Sequence, residues 1–418
     1  MKVLVINTGS SSIKYQLFDM GDQKVLASGL LEKIGETSSI LTHKVVAGKG
    51  GDFRITREGT VADHREGLNQ VVDLLVDAEY GVIRDKSEIA AVGHRVVHGG
   101  ETFQSSTIID ERVVAAIKEN SSLAPLHNCP NLTGIDVARL LFPNSPQVAV
   151  FDTAFHQTIP PKAFLYALPY DLYKKDKVRR YGFHGTSHSY VAEEAADYLG
   201  RSLSELNLIT IHLGNGASMA ALKNGRCVDT TMGLTPLEGL VMGTRCGDVD
   251  PALPFFLADH LKMSLEEIHT LMNKDSGLKG ICGTNDMREV IEKKNAGDDR
   301  ARTAVDVYCY RIRKYVGAYF AVLESIDGLV FTGGIGENAP DIRELSCQGL
   351  SKLGIEIDSK KNNEPGKEIR EINSFGSEVK ILIVPTNEEL KIAQETKKVI
   401  ESRNLKPETG KEQETRGE

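Results

Sequence analysis

Two arginines stand in settings that suit the capture of an anion. Arg95 lies in Gly93-His94-Arg95-Val96-Val97-His98-Gly99-Gly100, an apolar strand pattern that runs into two glycines, and Arg245 lies in the glycine-rich Gly243-Thr244-Arg245-Cys246-Gly247-Asp248. Each could be ion-paired within the protein. A carboxylate or phosphate substrate is the other partner that a planar, fork-shaped guanidinium fits. Asp152 follows the apolar run Val148-Ala149-Val150. It is therefore expected at a strand end, where active-site carboxylates of α/β folds gather, unless it caps a helix. His184 sits among small residues in Tyr181-Gly182-Phe183-His184-Gly185-Thr186-Ser187-His188. The spacing of His184 and His188, with no intervening Glu and no third ligand, does not make a zinc site. A proton donor or charge stabiliser is the better role for His184.

Three glycine-rich segments surround these residues in sequence: Asn7-Thr8-Gly9-Ser10-Ser11-Ser12, Gly214-Asn215-Gly216 and Gly333-Gly334-Ile335-Gly336-Glu337-Asn338. The first gathers backbone N–H groups and hydroxyls in one tight turn, with Gly9 free to take a positive φ. Such a nest favours anionic oxygen, although an ordinary hairpin turn uses the same residue types. The G-x-x-x-x-G-K-[ST] pattern is absent, so this is not a P-loop. Gly334 to Ala339 fits G-x-G-x-x-A, with Glu356 following 22 residues on. A dinucleotide-dependent oxidoreductase is thus a rival, but that reading leaves the other two glycine turns unexplained.

The elements that must carry these residues alternate between strand and helix. Val3 to Ile6 run apolar, and Ile13, Tyr15 and Leu17 then alternate with Lys14 and Gln16, which predicts strand, turn, strand over residues 2 to 18. The same layout returns at residues 207 to 223 around Gly214-Asn215-Gly216, which predicts two domains of related topology. A buried strand is expected at Gly328 to Thr332, then a turn, then a helix from about Pro340. Helical periodicity marks residues 65 to 78, 111 to 119, 131 to 142, 189 to 199 and 300 to 325. The class is α/β. Residues 403 to 418 hold no strongly apolar residue after Leu405 and are expected as a solvated tail.

Composition narrows the function classes. A net charge of −8 argues against a nucleic-acid partner. No apolar run approaches the ~20 residues of a membrane span, and the N-terminus carries no secretory pattern, so a cytoplasmic protein with no membrane partner is expected. The six cysteines are scattered without a C-x-x-C pair, as expected of free thiols.

Taken together, the segments LVINTGSSSIKY, GHRVVHGG, FDTAFHQTIP, YGFHGTSHSYV, HLGNGASMAALKNGRCVDTTMGLTPLEGLVMGTRCGDVDP, FTGGIGENAP and PTNEEL closely resemble the acetate kinase family. That family belongs to the acetate and sugar kinase, heat-shock chaperone and actin superfamily. The matching stretches span residues 4 to 390. The resemblance implies two domains of ribonuclease-H-like, actin-like ATPase topology flanking a nucleotide cleft. Their implied extents are residues 1–151 plus a returning helix at 389–402, and a nucleotide-binding domain at 152–388. It also implies reversible transfer of the ATP γ-phosphoryl group to acetate, with Mg²⁺ or, as a substitute, Mn²⁺, by a homodimer. Propionate is the alternative acceptor.

Carried over by motif, Arg95, Asp152, His184 and Arg245 fall at catalytic positions, and Asn7 and Glu388 at metal positions. Nucleotide positions fall on Lys14, on His212, Leu213, Gly214, Asn215 and Gly216, on Asp286, Met287 and Arg288, and on Gly334, Ile335, Gly336, Glu337 and Asn338. Val97, Leu126, Phe183 and Pro236, together with Arg95, would line the acceptor pocket. An acceptor carboxylate with a pKa of ~4 to 5 is already ionised at neutral pH. The implied reaction therefore needs no general base, and Asp152 is expected to organise metal, water or arginine.

Overall fold

The computed structural model describes residues 1–48, 51–122 and 124–404, without the side chains of a few residues beside those limits. The chain divides into two compact units, Met1–Phe151 with the segment from Glu389, and Asp152–Glu388.

The first unit is built on β1 (Lys2–Thr8), β2 (Ser12–Asp19), β3 (Lys24–Glu32), β4 (Ser39–Gly48), β5 (Gly51–Gly59), β6 (Ile89–Val96), β7 (Thr107–Ile108) and β8 (Gln147–Phe151). Their order in the sheet is β5-β4-β3-β2-β1-β6-β8-β7. The apolar run Val3 to Ile6 is buried on both faces, as a central strand requires. One face of the sheet packs Leu4, Ile6, Ile13, Tyr15 and Leu17 against Leu68, Val71, Leu74 and Leu75 of the helix His64–Val76. The other face packs Val3, Val5, Phe18, Val148 and Val150 against Ile392 and Ala393 of the helix Glu388–Asn404. Asp63 caps the helix His64–Val76 by accepting the Glu66 N–H at 2.9 Å.

The second unit holds β9 (Leu208–Leu213), β10 (Ala217–Lys223), β11 (Arg226–Thr230), β12 (Gly328–Thr332), β13 (Arg370–Glu371) and β14 (Lys380–Ile383), in the order β11-β10-β9-β12-β14-β13. In both units the first two strands form an antiparallel hairpin, and the first strand pairs parallel with the next strand across the sheet. The duplicated hairpins therefore mark two α/β units of one topology, the ribonuclease-H-like order of actin-type ATPases. The 25-residue helix Asp299–Leu323 buries Ala301, Val305, Tyr308, Ile312, Val316 and Tyr319 along one stripe, capped by Asp298.

Three local expectations are corrected. The helix expected from residue 131 begins at Pro125 and carries Pro130 inside it; at the first position Pro125 removes only a donor that has no partner there, whereas Pro130, in the second turn, forgoes one bond of the helix ladder. Gly333–Asn338 is itself helical rather than an open turn. Gly9 is absent from the residues with positive φ. What its position requires is room, since a Cβ there would lie 2.7 Å from Ser12 Oγ. Residues 405–418 of the expected tail lie outside the described residues. All six cysteines are free, with Cys129 exposed.

Candidate active site

In the first unit the turn after β1 closes through the Gly9 N–H, which donates to the Ser12 carbonyl at 2.8 Å. Asn7 and Lys14 are cross-strand partners on β1 and β2. Asn7 is half-buried, while Lys14 is exposed and forms an ion pair with Glu389. Arg95, half-buried near the end of β6, lies opposite Val150 of β8. Beyond it the chain turns through Val97 and His98, and this turn is held by two buried amides of the helix Pro125–Leu141. Asn131 Oδ1 accepts the Val97 N–H at 3.1 Å and its Nδ2 donates to the Thr8 carbonyl at 2.9 Å. Asn128 accepts the His98 N–H at 3.0 Å and donates to the His98 carbonyl at 2.9 Å. These two asparagines tie the turn after β6 to the turn after β1. Neither carries a motif, but two amides at i, i+3 on an otherwise apolar helix face were the available signal. Val97 is buried; the side chain of Leu126 lies outside the described residues.

In the second unit Asp152 is fully buried, and its Oδ1 accepts the Thr186 hydroxyl at 2.8 Å. Its carbonyl accepts the Gly185 N–H at 3.0 Å. This anchors the residue before Gly185, His184, which holds a left-handed backbone (φ 56°, ψ 23°) at the start of the helix Gly185–Leu199. A non-glycine residue in that region is uncommon and places the imidazole where a regular helix would not. The His184 ring packs 4.5 Å from the His212 ring, centroid to centroid. The guanidinium of Arg245 donates to the Pro236 carbonyl at 2.7 Å. Among the described residues it has no ion-pair partner, and burial pushes its pKa down with no carboxylate to restore it. A methyl group placed on Gly216 would lie 3.3 Å from His184 Nε2 and 3.6 Å from Arg245 Nη2. The histidine and the arginine thus converge over a residue that has no side chain. Phe183 is buried, and Pro236 is half-buried.

Beside the Gly214–Gly216 turn opens a cavity of about 670 Å³, lined by Gly214, Asn215, Asp286, Met287, Arg288, Gly334, Ile335 and Asn338. Three sequence-distant segments expected to meet a nucleotide therefore line one cavity. Asn285, Ile291 and Ala339 also line it and were not anticipated. Asn285 donates to Asn215 Oδ1 at 2.9 Å, joining two of the segments. Asp286 caps the helix Met287–Asn295 and pairs with Arg288, whose guanidinium holds its carboxyl down to about 2. The Leu213 side chain and Gly336 are buried in the sheet and helix rather than facing the cavity. Glu337 also does something other than line it: its Oε1 accepts the N–H of Gly333 at 3.0 Å and of Thr386 at 3.1 Å. The Thr386 hydroxyl continues to Ser187 Oγ at 2.9 Å, and Ser187 to His212 Nδ1 at 2.8 Å.

No group of three or more His, Cys, Asp or Glu is arranged to hold a metal among the described residues. Asn7, expected at a metal position, belongs to the first unit and Glu388 to the second; an amide oxygen and a carboxylate are each hard donors of the kind that Mg²⁺ takes. No helix among the described residues is long and apolar enough to cross a membrane.

A family model described as "Acetokinase family" matches residues 2–394. The chain is 55% identical over 404 residues to an acetate kinase of Nitratidesulfovibrio vulgaris (strain DSM 19637 / Miyazaki F), covering 97% of this chain and all of that one. Among solved structures it is similar to an acetate kinase of Porphyromonas gingivalis, with a TM-score of 0.90 and 45% identity over 96% of this chain and 99% of that one. It is also similar to a propionate kinase of Francisella tularensis subsp. tularensis SCHU S4, with a TM-score of 0.88 and 43% identity over 95% and 99% of the two chains.

Proposed function

The chain belongs to the acetokinase family, and from that premise we propose that it transfers the γ-phosphoryl group of ATP to acetate, giving acetyl phosphate and ADP, reversibly. It is a phosphotransferase with a carboxyl group as acceptor. The observation that carries this reading is the Arg245 guanidinium, which has no ion-pair partner among the described residues and converges with His184 over Gly216. A desolvated guanidinium beside an imidazole is a ready receptor for phosphoryl oxygens.

The acceptor carboxylate is ionised at neutral pH, so nothing need remove its proton. The obstacle is repulsion between an anionic nucleophile and a polyanionic donor, and the need to stabilise a planar, metaphosphate-like transition state. Arg245 and His184 donate to the phosphoryl oxygens, and Arg95 neutralises the acceptor carboxylate. Asp152, buried and bonded to Thr186, fixes the segment that presents His184 instead of acting as a base. The cavity at Gly214, Asp286 and Gly334 receives the nucleotide, and Val97, Leu126, Phe183 and Pro236 bound the acyl group. Mg²⁺, held by Asn7 and Glu388 when bound, would neutralise charge on the phosphate oxygens. A homodimer in the cytoplasm fits the family resemblance, and the exposed Phe255 and Leu265 support a partner surface.

The test is acetate-dependent ADP formation with hydroxylamine trapping of the acyl phosphate. Acetate is expected to exceed propionate and butyrate in kcat/KM, with propionate within the ~10- to 200-fold that one methylene can impose. Absence of any acetate dependence would overturn the reading.

A further inference from the structure

Behind His184 runs a line of buried polar atoms that the phosphoryl-transfer chemistry does not itself require. His184 Nδ1 meets Ser218 Oγ at 2.9 Å, Ser218 Oγ meets His188 Nε2 at 2.8 Å, and His188 Nδ1 meets Thr210 Oγ1 at 2.7 Å. Ser218, His188 and Thr210 are all fully buried. The line crosses from the helix Gly185–Leu199 to β10, back to the helix, and on to β9.

The direction of its hydrogen bonds follows from counting protons. His188 is neutral, because burial and the neighbouring His156 and His212 push its pKa well below the ordinary value. It therefore has one N–H and one lone pair to share between Thr210 and Ser218. The Thr210 hydroxyl has one hydrogen-bond partner among the described residues, His188 Nδ1. Were Nδ1 the protonated nitrogen, the Thr210 proton would be buried without an acceptor, an arrangement that folded proteins avoid. Thr210 must then donate to Nδ1, and His188 must donate from Nε2 to Ser218. Ser218, having accepted that proton's bond, has its own hydroxyl left to donate to His184 Nδ1. With Nδ1 an acceptor, neutral His184 carries its proton on Nε2, the nitrogen that lies over Gly216 beside Arg245.

We propose that Thr210, His188 and Ser218 form a directional hydrogen-bond relay that sets the tautomer of His184, so that its neutral imidazole donates from Nε2. They are positioning residues, and this role rests on the reading of His184 as a phosphoryl-oxygen donor. The relay serves a site that already holds a guanidinium: a neutral donor adds a hydrogen bond without a second cation beside Arg245. The groups facing His184 include His212 from β9, Ser218 from β10, Arg245 from the loop at residues 243–247, and His188 from the helix that follows it, with Asp152 reached through the Gly185 N–H and His156 behind His188.

The test joins spectroscopy to kinetics on the full-length chain. With ¹⁵N-labelled histidine, His184 and His188 of the wild type are both expected as Nε2–H tautomers at neutral pH. In Ser218→Ala, His184 is released to populate both tautomers, and acetate-dependent turnover falls on the order of tenfold at alkaline pH, less than the 10² to 10³ for loss of a donor outright. Turnover in that variant recovers at a pH low enough to protonate the ring, because an imidazolium carries a proton on Nε2 whatever Nδ1 does. The wild type lacks this recovery, and Ser218→Thr, which keeps the hydroxyl, restores the wild-type profile. Should Ser218→Ala not fold, Thr210→Val gives the same readout by freeing the His188 tautomer. An Nδ1–H tautomer at His184 in the wild type, or a Ser218→Ala profile that matches the wild type, overturns the relay. If the wild type shows no acetate-dependent turnover, the functional reading fails instead, and the tautomer spectra still decide the relay.

Discussion

Glu337 and Thr386, 49 residues apart in the chain, are joined through one carboxylate oxygen, which accepts the Thr386 N–H at 3.1 Å while also holding the Gly333 N–H at 3.0 Å. The helix Gly333–Asn338 beside the cavity and the segment that leads to Glu388 are thereby held in one register. Glu337→Ala leaves two backbone donors without their charged acceptor, a loss of ~1.5 to 3 kcal/mol. The KM for ATP is expected to rise about tenfold or more on that scale, with the KM for acetate little changed. Glu337→Gln, whose amide oxygen still accepts, should recover most of the difference in steady-state kinetics.

Gly216→Ala puts a methyl group 3.3 Å from the His184 ring and 3.6 Å from Arg245. The backbone there does not have a positive φ, so the fold tolerates the change. The expected outcome is an unchanged melting temperature with kcat down by about 10² or more, as for a misplaced catalytic group. A variant with wild-type kcat would separate His184 and Arg245 from the chemistry.

Arg245→Ala and Arg95→Ala each remove one charge donor, and each should lower kcat on the order of 10² to 10³. Near-normal turnover by either purified variant removes that arginine from its assigned role.

Asn128→Ala strips the partners from both the N–H and the carbonyl of buried His98. The stability cost is ~1 to 3 kcal/mol for each buried group left unsatisfied. Urea denaturation should show it, together with a raised KM for acetate, because the turn carrying Val97 loosens.

Among the buried histidines, His43 and His94 in the first unit and His156 and His188 in the second are held as neutral rings. Burial brings the first three down to about 4 and pushes His188 well below its ordinary value. The unfolded chain binds these protons near pH ~6.5 while the folded chain does not. The unfolded state therefore gains protons first as the pH falls, and stability drops between about pH 6.5 and 4, by up to ~1.4 kcal/mol per pH unit for each ring. Denaturation midpoints taken from about pH 7.5 to 5.5 should fall progressively in both units. Constant midpoints would contradict it.

The hairpins at β1–β2 and β9–β10 were legible because an apolar run followed by strict alternation has one structural solution, and their recurrence disclosed the duplicated topology. Pro130 concealed the first turns of its helix because a proline normally ends such a pattern. Asp152, His184 and Arg245 drew attention through their neighbours in sequence. Ser218, Thr210 and the two helix asparagines did not, since each matters only through partners 11 to 123 residues away. The contact from Glu337 to Thr386 was hidden for the same reason: nothing local distinguishes a carboxylate that faces a ligand from one that braces a backbone.

The helix Glu388–Asn404 has a consequence for how the molecule is made. Val3, Val5, Val148 and Val150 have no complete cover until Ile392 and Ala393 arrive from the far end of the polypeptide. The second unit, Asp152–Glu388, is one uninterrupted stretch. During synthesis the unit whose first strand leaves the ribosome earliest is therefore the last to close its core, and the later-translated unit can finish before it. Until then one face of the earlier sheet stays greasy and exposed, the period in which a nascent chain most depends on chaperones.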